Sequence, residues 1–201
     1  MGNLRSVQKA FEQVGCTVII TNDHDTIRSA DKIVLPGVGA FKDGMKHLEE
    51  LNLIELLTDE VIKNKKPFLG VCLGMQLLAN KSSENGETDG LGWIDAQVVK
   101  FDFEDCNEKL KIPHVGWNNI SYKNKNALYN EIQDNSDFYF VHSYHFKAND
   151  TQVVTSTTDY GFDFISSIHK DNIYAFQFHP EKSQAIGLKI IENFVNLESK
   201  C

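Results

Sequence analysis

Lys66-Pro67-Phe68-Leu69-Gly70-Val71-Cys72-Leu73-Gly74-Met75-Gln76-Leu77-Leu78-Ala79 is the stretch that decides the fold of this chain. A proline restarts the backbone and an apolar run follows. A cysteine then stands two residues from a glycine on either side, and the pattern turns helical. That is the layout of a nucleophile elbow, a sharp strand-to-helix turn with Cys72 where G-x-S-x-G carries its serine. The nucleophile of such a turn sits in a strained backbone conformation, and the glycines let backbone and substrate come close. The same residues also suit an inert cysteine buried in a βα unit, because free cysteine is among the most buried residue types.

Outward from the elbow, strand and helix patterns alternate. Leu4, Val7, Phe11 and Val14 make an amphipathic helix over residues 3–14 that Gly15 stops. Residues 16–20 read as a β-branched strand, 22–31 as a polar stretch with a short helical turn, and 32–35 as a second strand. That strand runs into a Pro36-Gly37-Val38-Gly39 loop. Two helical segments fill 41–64, and the elbow's own helix is expected over 73–80. The alternation predicts an α/β fold, a three-layer, open, mostly parallel sheet with helices on both faces. Beyond residue 80 the texture changes to a polar loop (82–92) and short strands at 96–103, 109–112, 137–141 and 152–157. Strands at 164–169 and 173–178 flank a tight Lys170-Asp171-Asn172 hairpin, and a final helix spans about 183–197. With 201 residues and no long linker, repeat or low-complexity segment, one domain over 1–201 is expected.

Composition narrows the function class. A net charge of −8, a pI near 5.3 and no Lys/Arg cluster argue against nucleic-acid binding. No apolar run approaches the length of a membrane span, and Met1-Gly2-Asn3-Leu4-Arg5 does not read as a signal peptide. Cys16, Cys72, Cys106 and Cys201 lack metal-ligand or disulfide-framework spacing, which fits a reducing cytoplasm. His142 and His145 at a strand end have no third ligand in view, so neither a metal nor a cofactor is expected. His24, His47 and His169 read as solvated, and Trp117 as a packed aromatic in a Gly-Trp-Asn loop unless it lies at an interface.

A cysteine nucleophile needs a base, and the base needs an orienting group. His179-Pro180-Glu181 follows the apolar run Tyr174-Ala175-Phe176-Gln177-Phe178, and residues two apart at a strand end point the same way. Glu181 can then hold the His179 tautomer and stabilise its charged form, although an isolated His-x-Glu also suits a solvated surface pair. The amide of Leu73 is one candidate oxyanion donor, and the Pro36–Gly39 loop supplies the other if it leaves a neighbouring strand at the same sheet edge.

With these residues in view, the chain resembles the triad (class I) glutamine amidotransferases. The matching pieces run in the family's order over nearly the whole chain: Gly2-Asn3-Leu4-Arg5-Ser6, Pro36-Gly37-Val38-Gly39-Ala40-Phe41, Gly70-Val71-Cys72-Leu73-Gly74-Met75-Gln76 and Gly90-Leu91-Gly92-Trp93, then Pro113-His114-Val115-Gly116-Trp117-Asn118, Phe140-Val141-His142-Ser143-Tyr144 and His179-Pro180-Glu181-Lys182-Ser183. The later pieces point to the branch that feeds ammonia to a separate (β/α)8 cyclase subunit making imidazole glycerol phosphate in histidine biosynthesis. The resemblance implies glutamine hydrolysis by Cys72, His179 and Glu181, with the amides of Leu73 and Val38 as the oxyanion hole. It also implies Gly39, Gln76, Ser143 and Tyr144 around the substrate, and Asn3, Trp117 and Lys182 facing the cyclase in a heterodimer. A paralogue serving another synthase, such as one making an amino sugar, shares these motifs. A non-catalytic partner on the same scaffold is the alternative of another class.

One departure stands out. The family normally opens with an apolar strand directly before Gly-Asn-Leu-Arg-Ser, whereas here Met1-Gly2 precedes Asn3. The resemblance therefore implies a start codon assigned downstream of the true one. It also implies apolar surface uncovered on the first helix and on residues 16–20.

Overall fold

A computed structural model describes residues 3–103 and 110–198. The helices are α1 (Leu4–Gln13), α2 (His24–Ser29), α3 (Phe41–Glu50), α4 (Leu53–Thr58), α5 (Leu73–Gln76) and α6 (Gln184–Val195). The strands are β1 (Ile33–Gly37), β2 (Phe68–Cys72), β3 (Lys81–Ser82), β4 (Thr88–Asp89), β5 (Ala96–Lys100), β6 (His114–Asn119), β7 (Ser121–Tyr122), β8 (Asp137–His142), β9 (Tyr144–Ala148), β10 (Val154–Asp159), β11 (Asp163–Lys170) and β12 (Ile173–Phe176). The main sheet runs β1-β2-β12-β11-β9-β5-β3-β4, with β10 and β7 attached through β11, and β6 and β8 form a separate antiparallel ribbon.

The sheet is parallel where it carries the elbow. β2 lies between β1 and β12, parallel to both, and every one of its five residues is buried. A strand covered on both faces needs a continuous apolar run, which is what Phe68-Leu69-Gly70-Val71 supplies. Helices α3 and α4 bury Phe41, Leu48, Leu53, Leu56 and Leu57 in a core shared with Phe68, Leu73 and Met75. On the other face α1 and α6 bury Val7, Phe11, Ile190, Ile191 and Phe194 with Leu69, Val71 and Phe176. Phe11 and Phe194 meet edge-on at 6.3 Å and lock these two helices together. The α/β layering is that expected from the alternating patterns. The hairpin at β11–β12 also forms as read, with Lys170 opposite Ile173.

Several local expectations are corrected. Residues 16–20 form no strand: they pair with none, and Ile19 and Ile20 are 67% and 46% exposed. A cavity of about 540 Å³ lies between this segment and β1, walled by Val7, Phe11, Val18, Val34, Leu57 and Phe194. A strand needs a neighbour to take its hydrogen bonds, and β-branched composition cannot provide one. The elbow helix stops at Gln76 instead of residue 80. The amides of Leu78 and Ala79 turn to the carbonyls three residues back, those of Met75 and Gln76, and the amide of Asn80 leaves for the Ala96 carbonyl, so the i to i−4 ladder ends. The carbonyls of Leu77, Leu78 and Ala79 are taken by the amides of Leu91, Trp93 and Gly92. Residues 110–112 are not a strand, while residue 109, Cys106, Cys201 and Gly2 fall outside the described residues. Trp117 sits in a strand, not a loop. Residues 152–153 belong to a 3-10 turn ahead of β10. His24 is not free in solvent, since its Nε2 lies 3.2 Å from the Leu51 carbonyl. Among the described residues no helix is long and apolar enough to cross a membrane.

Candidate active site

Cys72 closes β2 at φ 54°, ψ −110°, a positive-φ conformation that costs a non-glycine residue on the order of 1–3 kcal/mol. The flanking strand outweighs that cost, because burying Phe68, Leu69 and Val71 contributes roughly 1.5–3 kcal/mol each. The glycines of the motif have a steric reason. A Cβ on Gly74 would meet the Leu35 carbonyl oxygen at 1.7 Å, and one on Gly70 would meet the Gly74 carbonyl at 2.8 Å. Only without those carbons can α5 press onto β1 and turn the sulfur out of the strand.

Register brings the other pieces to the same edge. Gly37 pairs with Cys72 across β1 and β2, so Val38 and Leu73 are the first residues beyond a shared pairing. Phe176 of β12 pairs with Val71 of β2, which carries the chain on through Gln177 and Phe178 to His179 beside the sulfur. His179 is fixed through its backbone: its amide donates to the Tyr139 carbonyl at 2.9 Å, and its carbonyl accepts from Ser183 Oγ at 2.7 Å.

The His179 side chain is buried completely, and Nδ1 lies 2.7 Å from Glu181 Oε1. Burial disfavours the charged ring, but Cys72 and the Glu181 carboxylate outweigh it and hold the histidine pKa up at about 9. Burial likewise disfavours a charged Glu181, yet His179 and then Asn3 hold its carboxyl below the ordinary range. His179 Nε2 is buried with no hydrogen-bond partner among the described residues, so it is the nitrogen left free for proton traffic. A cysteine, a histidine whose proton affinity is raised by its neighbours and an orienting carboxylate together make a constellation for nucleophilic acyl transfer.

Asn3, expected at the partner face, is buried against this pair. Its Nδ2 donates to Glu181 Oε1 and approaches His179 Nδ1 at 3.3 Å, so its side chain is spent on supporting the triad. Gln76 is buried, and its Nε2 donates to the Tyr144 carbonyl and to Gln177 Oε1, each at 3.0 Å. Gln177, which sequence reasoning passed over as one more strand residue, sends Nε2 to within 3.7 Å of the Cys72 sulfur. Its signal was a polar side chain in an otherwise apolar run. Ser143 and Tyr144 join β8 to β9 and are half-buried, while Val38 and Gly39 are exposed. Trp117 is 48% exposed and meets Tyr139 edge-on at 6.1 Å, and Lys182 Nζ lies over the Tyr139 ring, 5.7 Å from its centroid. These two predicted interface residues thus share one aromatic platform. No group of three His, Cys, Asp or Glu side chains among the described residues is arranged to hold a metal ion.

The chain is similar to known proteins in sequence and in fold. The family profile described as "Glutamine amidotransferase class-I" matches residues 1–197. "Imidazole glycerol phosphate synthase subunit HisH 1" of Campylobacter jejuni is 50% identical over 196 residues, covering 98% of this chain and 96% of the relative. The corresponding HisH subunit of Aquifex aeolicus is 50% identical over 195 residues, 96% of this chain and 91% of its own length. Among solved structures, one titled "Crystal structure of glutamine amidotransferase" superposes with a TM-score of 0.73 at 18% identity, over 96% of this chain and 95% of that one. The glutaminase domain of Trypanosoma brucei CTPS, solved with bound acivicin, gives 0.62 at 17% identity over 99% and 90%. At such identities the two structures speak to the fold alone.

Proposed function

The chain belongs to the class-I glutamine amidotransferase family, and from that premise we propose how its site works. It hydrolyses glutamine to glutamate and ammonia as the glutaminase of an imidazole glycerol phosphate synthase, supplying nitrogen for histidine biosynthesis. His179 takes the thiol proton of Cys72 as the sulfur attacks the side-chain amide carbon of glutamine, and the amides of Leu73 and Val38 take the oxyanion. His179 delivers its proton to the departing ammonia, leaving a γ-glutamyl thioester on Cys72. The same ring then draws a proton from water as it attacks the thioester, and glutamate leaves as the sulfur is released. Glu181 holds the ring and its charge, and Asn3 holds Glu181. Gly39, Gln76, Ser143 and Tyr144 surround the substrate. The whole chain acts as one amidotransferase domain in the cytoplasm.

The ammonia passes to a separate (β/α)8 cyclase subunit, which docks on the face carrying Trp117, Tyr139 and Lys182. The single observation that carries this reading is the strained, buried Cys72 beside a His179–Glu181 pair closed at 2.7 Å. Ammonia release from glutamine by the chain together with its cyclase and nucleotide tests it. Activity that depends on the partner and disappears in Cys72→Ala is the expected result. No ammonia from the wild-type complex would overturn it.

A further inference from the structure

Two histidines outside the triad lie under the site. His114 of β6 and His142 of β8 are opposite one another in the ribbon and buried, with His114 Nδ1 and His142 Nε2 at 3.0 Å. Main-chain acceptors at the two ends fix every proton between them. The Tyr144 carbonyl only accepts, and it lies 2.9 Å from His142 Nδ1, so that nitrogen carries the hydrogen. In a neutral ring His142 Nε2 is then an acceptor, and the proton between the rings belongs to His114 Nδ1. His114 Nε2 is left to accept from Asn118 Nδ2 at 3.3 Å, and Asn118 is itself oriented by donating to the Asp159 carbonyl at 2.9 Å. A second proton on either ring would set two donors against each other. Burial keeps both rings neutral, pushing His142 down to about 3 and His114 to about 4.

The Tyr144 carbonyl is shared. It also accepts from Gln76 Nε2, whose second hydrogen goes to Gln177 Oε1, and Gln177 Nε2 faces the Cys72 sulfur. Both amide hydrogens of Gln76 are therefore used within the protein, and the atom it can offer a ligand is its oxygen, as an acceptor.

We propose that His114 and His142 are positioning residues: a one-directional hydrogen-bond relay runs from Asn118 through both imidazoles to the Tyr144 carbonyl. It holds Gln76 in the orientation that leaves its oxygen for the glutamine substrate, and through Gln76 it holds Gln177 against the sulfur. The substrate in this statement rests on the proposed glutaminase reading, whereas the relay's proton order does not. His114 is carried by the same strand as the exposed Val115 and Trp117, so the relay begins at the face assigned to the cyclase.

Two measurements test it. Nitrogen-15 NMR of the full chain at neutral pH reads the tautomers directly, and both rings should be neutral with the proton on Nδ1. Either ring protonated twice, or carrying its proton on Nε2, would overturn the relay. Steady-state glutaminase kinetics of the complex with cyclase and nucleotide then read its effect on binding. His142→Phe keeps an aromatic ring among Phe101, Phe140 and Phe164 but removes the donor to Tyr144. It should raise the KM for glutamine about 3- to 10-fold, the worth of one neutral hydrogen bond, with kcat changed less than about twofold. His142→Asn, which keeps a donor where Nδ1 stands, should bring KM back to within about twofold of wild type. An unchanged KM in the phenylalanine variant, or asparagine failing to rescue it, marks a merely structural pair and sinks the proposal. If the phenylalanine variant does not fold, the KM of His142→Asn and the wild-type tautomers still decide. A wild-type complex without glutaminase activity overturns the functional reading, and the tautomers then judge the relay by themselves.

Discussion

At Cys72 a positive φ reverses the usual order of small residues. In most extended segments glycine is less stable than alanine, but here an alanine keeps the strain that glycine is free of. Cys72→Gly should therefore be more stable than Cys72→Ala by about 1 kcal/mol, read from denaturant unfolding, with both variants inactive. Alanine as the more stable variant would mean that the elbow is relaxed. His179 makes a second residue-scale expectation. Its folded pKa of about 9 stands above its ordinary 6.5, so the stability it contributes is complete below pH 6.5 and is lost as pH rises through about 9. Glu181, held low, contributes above its ordinary 4.5 and loses that contribution as pH falls. Melting temperature measured between pH 6.5 and 9.5 should fall more steeply in the wild type than in His179→Phe. Parallel curves would show that the ring is not held charged. Cys72, His179 and Glu181 were legible from local motifs, because a turn and a strand end dictate where side chains two residues apart can point. Asn3 and Gln177 were not legible as supports, because their partners lie 178 and 105 residues away in the chain.

Among the elements, α5 is the one that close packing dictates. It crosses β1 with so little clearance that a Gly74 side chain would enter the Leu35 carbonyl. On a solvent-exposed helix a glycine-to-alanine change stabilises by about 1 kcal/mol, but Gly74→Ala must push the buried α5 off the sheet. A loss at or above the 1–3 kcal/mol usual for overpacking is expected, with loss of glutaminase activity, measured by thermal unfolding and ammonia release. Near wild-type stability would mean that α5 and β1 can part without cost. The glycines around the cysteine were readable as an elbow, yet the length of the helix was not. Leu77 and Leu78 continue the apolar helical pattern, and what ends it is a contact from far along the chain, the amide of Asn80 pairing with the Ala96 carbonyl. The same limit explains Trp117: Gly116 and Asn118 suggest a loop, but pairing with β8 makes the segment a strand.

Over the whole molecule, the site and the proposed partner face share the β6–β8 ribbon. Trp117 and Lys182 gather on Tyr139, and the backbone of Tyr139 holds the amide of His179. Exposed aromatic side chains of this kind dominate interface energetics, so Trp117→Ala should weaken cyclase binding by about 10-fold or more, measured by titration calorimetry. An unchanged affinity would move the interface elsewhere. The sequence by itself determined the α/β layering, the elbow, the residues of the candidate triad and the family, because each rests on short-range pattern: hydrophobic period, turn chemistry and motif spacing. Only the tertiary structure decided that residues 16–20 border a cavity of about 540 Å³ instead of forming a strand, and that Asn3 supports the triad. Only it decided, too, that His114, a motif residue, and His142, weighed in the sequence as a metal ligand lacking a third partner, form a relay of fixed direction. Those outcomes depend on which backbone and side-chain groups meet across the fold, and hydrogen bonds between distant segments leave no period in the chain.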